Sequence, residues 1–202
     1  MTSQMDAETT TLTKSQAARR ERVIRAALDL GASGGYDAVQ MRDVATSAGV
    51  ALGTIYRYFS SKDHLLAAAM VEWTNDLERR VGQRPPKGST ITERVSDVLS
   101  RATRAMEKEP KLSEAVVTAL LSPDRGAASC QEEVSASMTR ILSTALGDDF
   151  DPDFKLHATR TLGHVWFSAL IGWVNGWSGM EKVADELEIA THLVLDQYGS
   201  LK

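Results

Sequence analysis

Four donor-bearing side chains, Thr54, Tyr56, Arg57 and Tyr58, crowd into five positions of the stretch GVALGTIYRYFSSKDHLL, residues 49–66. Hydroxyl and guanidinium groups hydrogen-bond to phosphate oxygens and to base edges, and an arginine can take guanine through two parallel bonds. Leu52, Ile55 and Phe59 lie between them at helical spacing, so a short helix that buries those three turns the polar set outward. An α-helix fits the major groove of B-DNA. On this reading Arg57 contacts guanine, Thr54 touches a thymine methyl or a phosphate, and the two tyrosines bind phosphate. Lys62 adds a positive charge beside free backbone N–H groups at the start of the next helix, a favourable setting for phosphate. Arg42, in the helix that Gln40 opens, reaches the adjacent backbone. Upstream, Lys14, Arg19, Arg20, Arg22 and Arg25 are opposed only by Glu21. The candidate DNA-binding set is therefore Arg19, Arg20, Arg22, Gln40, Arg42, Thr54, Tyr56, Arg57, Tyr58 and Lys62. For a single tyrosine the plainer reading, an ordinary core-edge residue of a helical bundle, is preferred; the whole constellation argues against it.

Other chemistries find little support. GASGG, residues 31–35, matches G-x-S-x-G formally, but it ends a helix where a nucleophile elbow needs a preceding strand. The four histidines have no zinc-ligand spacing and no phosphate-binding glycine loop occurs, so we expect no enzyme, no metal and no cofactor. A lone cysteine, Cys130, forms no internal disulfide and fits a reducing compartment. Without an apolar leader or a run of about 18 apolar residues, a cytoplasmic protein is expected. The net charge of −4 opposes nucleic acid as a sum, yet residues 1–64 carry eight Lys/Arg against seven Asp/Glu while the remainder carries 15 against 20. Distribution outweighs the total.

The elements that must hold these residues read as all-α. Residues 1–14 are polar and threonine-rich, a tail with nothing to bury. Helix one starts at Ser15 with Val23, Ala27 and Leu30 in register and ends at Gly34-Gly35. A second helix from Gln40 to Gly49 and a third from Ala51 to about Tyr58 form a helix-turn-helix, so 15–60 is the DNA-binding unit. A connecting helix, 61–81, follows a Ser60-Ser61 cap and buries Leu66, Met70, Trp73 and Leu77. GQRPPKGS breaks it, and 82–202 reads as five helices: 90–109, 111–121, 123–146, 152–177 and 180–198. Pro123 and Pro152 are each expected at a first helical position, capped by Ser122 and Asp151.

Trp166, Leu170, Trp173 and Trp177 recur at steps of four, three and four along one helix, with Phe167 beside them. Core packing or a dimer interface explains such a stripe; so does a cavity for an apolar molecule, which is lined by aromatic and aliphatic groups. Met106, Leu120, Met138, Trp166, Phe167, Leu170 and Trp173 are the pocket candidates, with His164 and Asn175 able to orient a polar end.

MRDVATSAGVALGTIYRYFSSKDHLL, with GGY before it, resembles the DNA-binding region of TetR-family transcriptional repressors, most closely over 15–81. The resemblance implies a nine-helix architecture, a recognition helix at 51–58, residues matching Thr54, Tyr56, Tyr58 and Lys62 at DNA, and a homodimer closed by the last two helices. Ala51-Leu52 and Arg57 depart from the commoner pattern, so base preference does not transfer. GGYDAVQMRDVA, VALGTIYRYF and VWFSALIGWV look most like the KstR-type repressors of actinobacterial sterol catabolism, which implies a sterol-derived acyl-CoA inducer. A TetR-like repressor sensing a fatty acyl-CoA or a drug, and a helical lipid-binding protein that ignores DNA, remain the alternatives.

Overall fold

The computed structural model describes residues 13–148 and 150–199, which excludes most of the expected tail. Among the described residues it is all-α, with nine helices in chain order: α1 Lys14–Ala38, α2 Met41–Ala48, α3 Leu52–Tyr56, α4 Lys62–Gln83, α5 Ile91–Glu107, α6 Pro110–Leu120, α7 Arg125–Leu146, α8 Pro152–Val174 and α9 Met180–Gly199. No described helix is long and apolar enough to cross a membrane.

Local chemistry explains the ends. Thr13 opens α1 with a reciprocal capping box to Gln16, and Thr90 does the same for α5 with Glu93. Gly49 ends α2 in the left-handed conformation, φ 64°, and Val50 N–H reaches back to Ala45 O at 3.0 Å. Helix one outruns its expected end: Gly35, φ 73°, breaks it where expected, but a further turn continues to Ala38. The third helix is shorter than expected because Arg57 caps it, although Tyr58 and Phe59 both donate to Ile55 O and prolong the turn. Pro123 is not the first residue of α7. Asp124 caps that helix instead, accepting from Gly126 N and Ala127 N at 2.8 and 3.1 Å, which releases the Ser122 hydroxyl for another partner. Pro110, by contrast, sits in the first turn of α6. The eighth helix stops at Val174, leaving Trp177 beyond a positive-φ Gly176 and 77% exposed, off the stripe it was expected to join.

Packing divides the labour. Val23, Ile24 and Ala27 of α1, Val44, Ala45 and Ala48 of α2, and Ile55 and Phe59 are all buried in the core that anchors α3. The fourth helix is different in kind. Seven consecutive residues, Leu65 to Val71, are buried, so it has no solvent face there and packs against α1, α6 and α7 together. Three successive alanines, Ala67 to Ala69, keep that contact close. Farther along α4, Glu78 receives Arg140 of α7 through two bonds of 2.9 Å and the Ser137 hydroxyl at 3.0 Å. These bonds, Arg140 first, hold the Glu78 carboxyl below its usual value.

Candidate nucleic-acid interface

A five-residue helix has few hydrogen bonds of its own, so its placement comes from what it buries. Ile55 is fully buried and Phe59 nearly so; between them Tyr56 is 52% exposed and Arg57 is exposed, while Thr54, just before Ile55, is half-buried. The surface reading of these three follows directly from the anchoring of Ile55 and Phe59. Tyr58 differs: it is half-buried against the core, with its ring 6.3 Å from that of Phe59. Arg22 and Arg42 are exposed and Arg19 is half-buried. Gln40 is exposed at the N-terminus of α2, and its Nε2 donates to Asp37 O at 2.9 Å.

Two expected DNA-contacting cations have protein partners. Arg20 donates to Glu72 of α4 at 2.8 Å and lies 5.4 Å from the centroid of the Phe59 ring, which makes it a brace between α1, α4 and the end of α3. Lys62 donates to Tyr36 O at 3.3 Å and sits 3.7 Å over the Tyr36 ring. The sequence reading gave both side chains to DNA alone.

Sequence reasoning missed a polar seam joining this unit to the bundle. Tyr36 donates through its hydroxyl to Asp63, whose other oxygen accepts from Ser122 at 2.7 Å. Burial, reinforced by Asp63, pushes the Tyr36 hydroxyl up to about 12. Ser60, in the loop that follows the recognition helix, donates its hydroxyl to Asp124 at 3.2 Å. Backbone bonds, that of Ala127 foremost, hold the Asp124 carboxyl below its usual value. The Ser60 N–H donates to His64 Nδ1 at 3.1 Å, which makes that nitrogen the acceptor and the ring neutral. His64 stands edge-on to Phe59, centroids 5.4 Å apart, and burial lowers its pKa from the ordinary histidine value. Gly126 lies flat against this ring: a Cβ there would come within 2.3 Å of His64 Nδ1. The pairs that cross to the bundle, Asp63 with Ser122 and Ser60 with Asp124, are 59 and 64 positions apart, a separation that no spacing rule reads.

The expected pocket residues separate as well. Leu120, Met138, Trp166 and Leu170 are between 2% and 6% exposed and belong to the packed core. Phe167 and Trp173 are half-buried against it, His164 is exposed, and Asn175 is spent on Ile171 O at 2.8 Å. Within that core the Trp166 indole N–H and the Thr103 hydroxyl have no hydrogen-bond partner. A cleft of about 850 Å³ lies elsewhere, between α1 and the α4–α6 surface, and Met106 is the one expected pocket residue lining it. No group of described side chains could hold a metal ion.

Comparison with known proteins identifies the family and the fold. Residues 23–69 match a family model described as bacterial regulatory proteins of the tetR family, and residues 88–194 match a tetracyclin repressor-like C-terminal domain. The HTH-type transcriptional repressor KstR of Rhodococcus jostii (strain RHA1) is 40% identical over 89% of this chain and 84% of its own. A TetR transcriptional regulator from Rhodococcus sp. RHA1 superimposes with a TM-score of 0.81 at 30% identity, covering 94% of this chain and 100% of the other. Thermus thermophilus FadR, solved in complex with lauroyl-CoA, shares the fold at a TM-score of 0.68 and 24% identity, over 91% of this chain and 95% of that one.

Proposed function

Because this chain belongs to the TetR family and is a transcriptional regulator rather than an enzyme, we propose that it represses genes of steroid or lipid catabolism, binding a palindromic operator as a homodimer until a sterol-derived acyl-CoA releases it. Residues 15–60 read the DNA, 61–81 connect, and 82–202 bind the effector and dimerise. The observation that carries this reading is the recognition helix itself, with Ile55 and Phe59 buried and Tyr56 and Arg57 turned out on the same short turn. Thr54 lies beside them, while Arg19, Arg22, Arg42, Gln40, Tyr58 and Lys62 flank the groove for phosphate contact; Lys62 does so after leaving the Tyr36 ring. Arg20 acts through Phe59.

Two recognition helices must stand about 34–36 Å apart to meet successive major grooves. Dimerisation supplies that spacing, and Leu156 of α8 with Ile189 and Leu193 of α9, 44%, 59% and 76% exposed, offers the apolar face. The KstR relationship supports a steroid thioester over other effectors, and the lauroyl-CoA complex of the Thermus protein supports the capacity of this fold for a fatty acyl-CoA, the second reading.

The test is a gel shift on an inverted repeat from the adjacent intergenic DNA. Arg57→Ala should weaken binding about 5- to 150-fold, the range of about 1–3 kcal/mol for one base contact, and Tyr56→Ala should weaken it about equally across operator sequences, as loss of a phosphate contact does. Undiminished binding by both variants removes the proposed groove contacts. Release by the steroid thioester but not by a fatty acyl-CoA panel separates the two effector readings.

A further inference from the structure

The cleft between α1 and the α4–α6 surface belongs to neither unit alone, since α1 carries the DNA-binding core and α5 and α6 belong to the bundle. Its volume of about 850 Å³ falls within the range of small-molecule sites. Leu28, Met70, Trp73, Met106, Leu112 and Val116 make an apolar wall.

The rim is polarised. Arg20 meets Glu72 at one end of α1, and at the other Lys111 of α6 donates to Ser33 O at 3.1 Å while Gly31 abuts Leu112. Arg25 of α1, paired with Glu21 at 3.4 Å, lines the cleft, and at the C-terminal end of α4 Arg79 and Arg80 share the single carboxylate of Asp76 at 2.8 and 2.5 Å. Asp29 and Glu109 line the α6 end. An anion is favoured where two guanidiniums share one carboxylate and disfavoured beside the two acids.

We propose that this cleft is an effector site for an amphipathic anion, its apolar body against Leu28, Trp73 and Leu112 and its anionic end at Arg79 and Arg80. The proposal rests on the regulator reading but moves its effector from within residues 82–202 alone to their junction with α1 and α4. The consequence for DNA is mechanical. Glu72 lines the cleft and holds Arg20, whose guanidinium braces the Phe59 ring at the end of the recognition helix. An occupant that spreads α1 from α4 therefore disfavours the DNA-binding arrangement, as coupling between two sites requires.

The anion can be a free steroid carboxylate or the phosphates of its CoA thioester. A diazirine-bearing steroid carboxylic acid and its CoA thioester, photolysed on the full-length protein and mapped by mass spectrometry, should label peptides within 21–32, 69–80 and 105–116. Binding of the free acid assigns the site to a carboxylate; binding of the thioester alone assigns it to the CoA phosphates. Ala32→Trp, which fills the cleft from an exposed position on α1, should weaken probe binding at least tenfold. Arg79→Gln with Arg80→Gln should weaken it several-fold. Labelling confined to the Trp166 peptide, Ala32→Trp binding as tightly as wild type, or no binding of either probe overturns the proposal. Labelling in the cleft of a protein that binds no duplex DNA would instead sink the regulator reading and leave the site standing.

Discussion

Gly126→Ala tests the junction between the two units with a single methyl group. The added Cβ would lie 2.3, 2.5 and 2.8 Å from His64 Nδ1, Cγ and Cε1, distances that require movement. The ring has little freedom to yield, because Ser60 N–H holds Nδ1 at 3.1 Å and the Phe59 ring packs against it nearly at right angles. The first turn of α7 must therefore back away, carrying Asp124 off the Ser60 hydroxyl. Overpacking of this kind costs about 1–3 kcal/mol, and the lost bond adds roughly 0.5–1.5 kcal/mol. The better helix propensity of alanine offsets up to about 1 kcal/mol, leaving a net loss of around 1–3 kcal/mol. That corresponds to a fall in Tm of a few degrees or more for a chain of this size. Urea melts of wild type, Gly126→Ala, His64→Ala and the double variant form a cycle whose coupling should be at least about 1 kcal/mol, the double variant being no less stable than His64→Ala alone. A stable Gly126→Ala protein with no coupling would show that the helix and the ring do not meet as described.

Further expectations concern charge. The lowered His64 pKa means the unfolded state binds more protons than the fold between the two pKa values, so its contribution is complete above the ordinary value near 6.5 and fades as pH falls through the folded one. Melts from pH 8 to 5 should show that loss, and His64→Gln should flatten it. Arg19→Gln and Arg22→Gln should each reduce the slope of log affinity against log salt by about 1, the signature of a lost phosphate contact. Arg20→Gln should lower operator affinity without changing that slope, because its partners are Glu72 and Phe59. Leu193→Glu should convert the dimer to monomer in light scattering and weaken operator binding at least tenfold.

The helical class and the helix-turn-helix were readable because Leu52, Ile55 and Phe59, like the apolar residues of α1, repeat at 3.6-residue spacing and because Gly49 marks a left-handed stop. Local rules identify such features. They failed at Pro123, where two cap residues stood two positions apart and a distant partner, Asp63, claimed Ser122. They do not reveal the protein partners of Arg20 and Lys62, since Glu72 and Tyr36 lie 52 and 26 positions away. The tryptophan stripe predicted burial on more than one side, and Trp166 is indeed buried; nothing in its period distinguished packed core from empty cavity, and the cleft opened where α1 crosses the bundle. A cavity is a property of how helices cross, which periodicity does not encode.

The all-round burial of α4 between Leu65 and Val71 sets how this molecule can respond to anything it binds. A surface helix can slide by trading one set of solvent-facing side chains for another, whereas a rod gripped on every side moves only with its neighbours. Any twist imposed at its Arg79 and Arg80 end must therefore carry α1, α6 and α7 with it. The alanines at 67–69 are where that grip is tightest, and enlarging any one of them should push the surrounding helices apart at about 1–3 kcal/mol of stability.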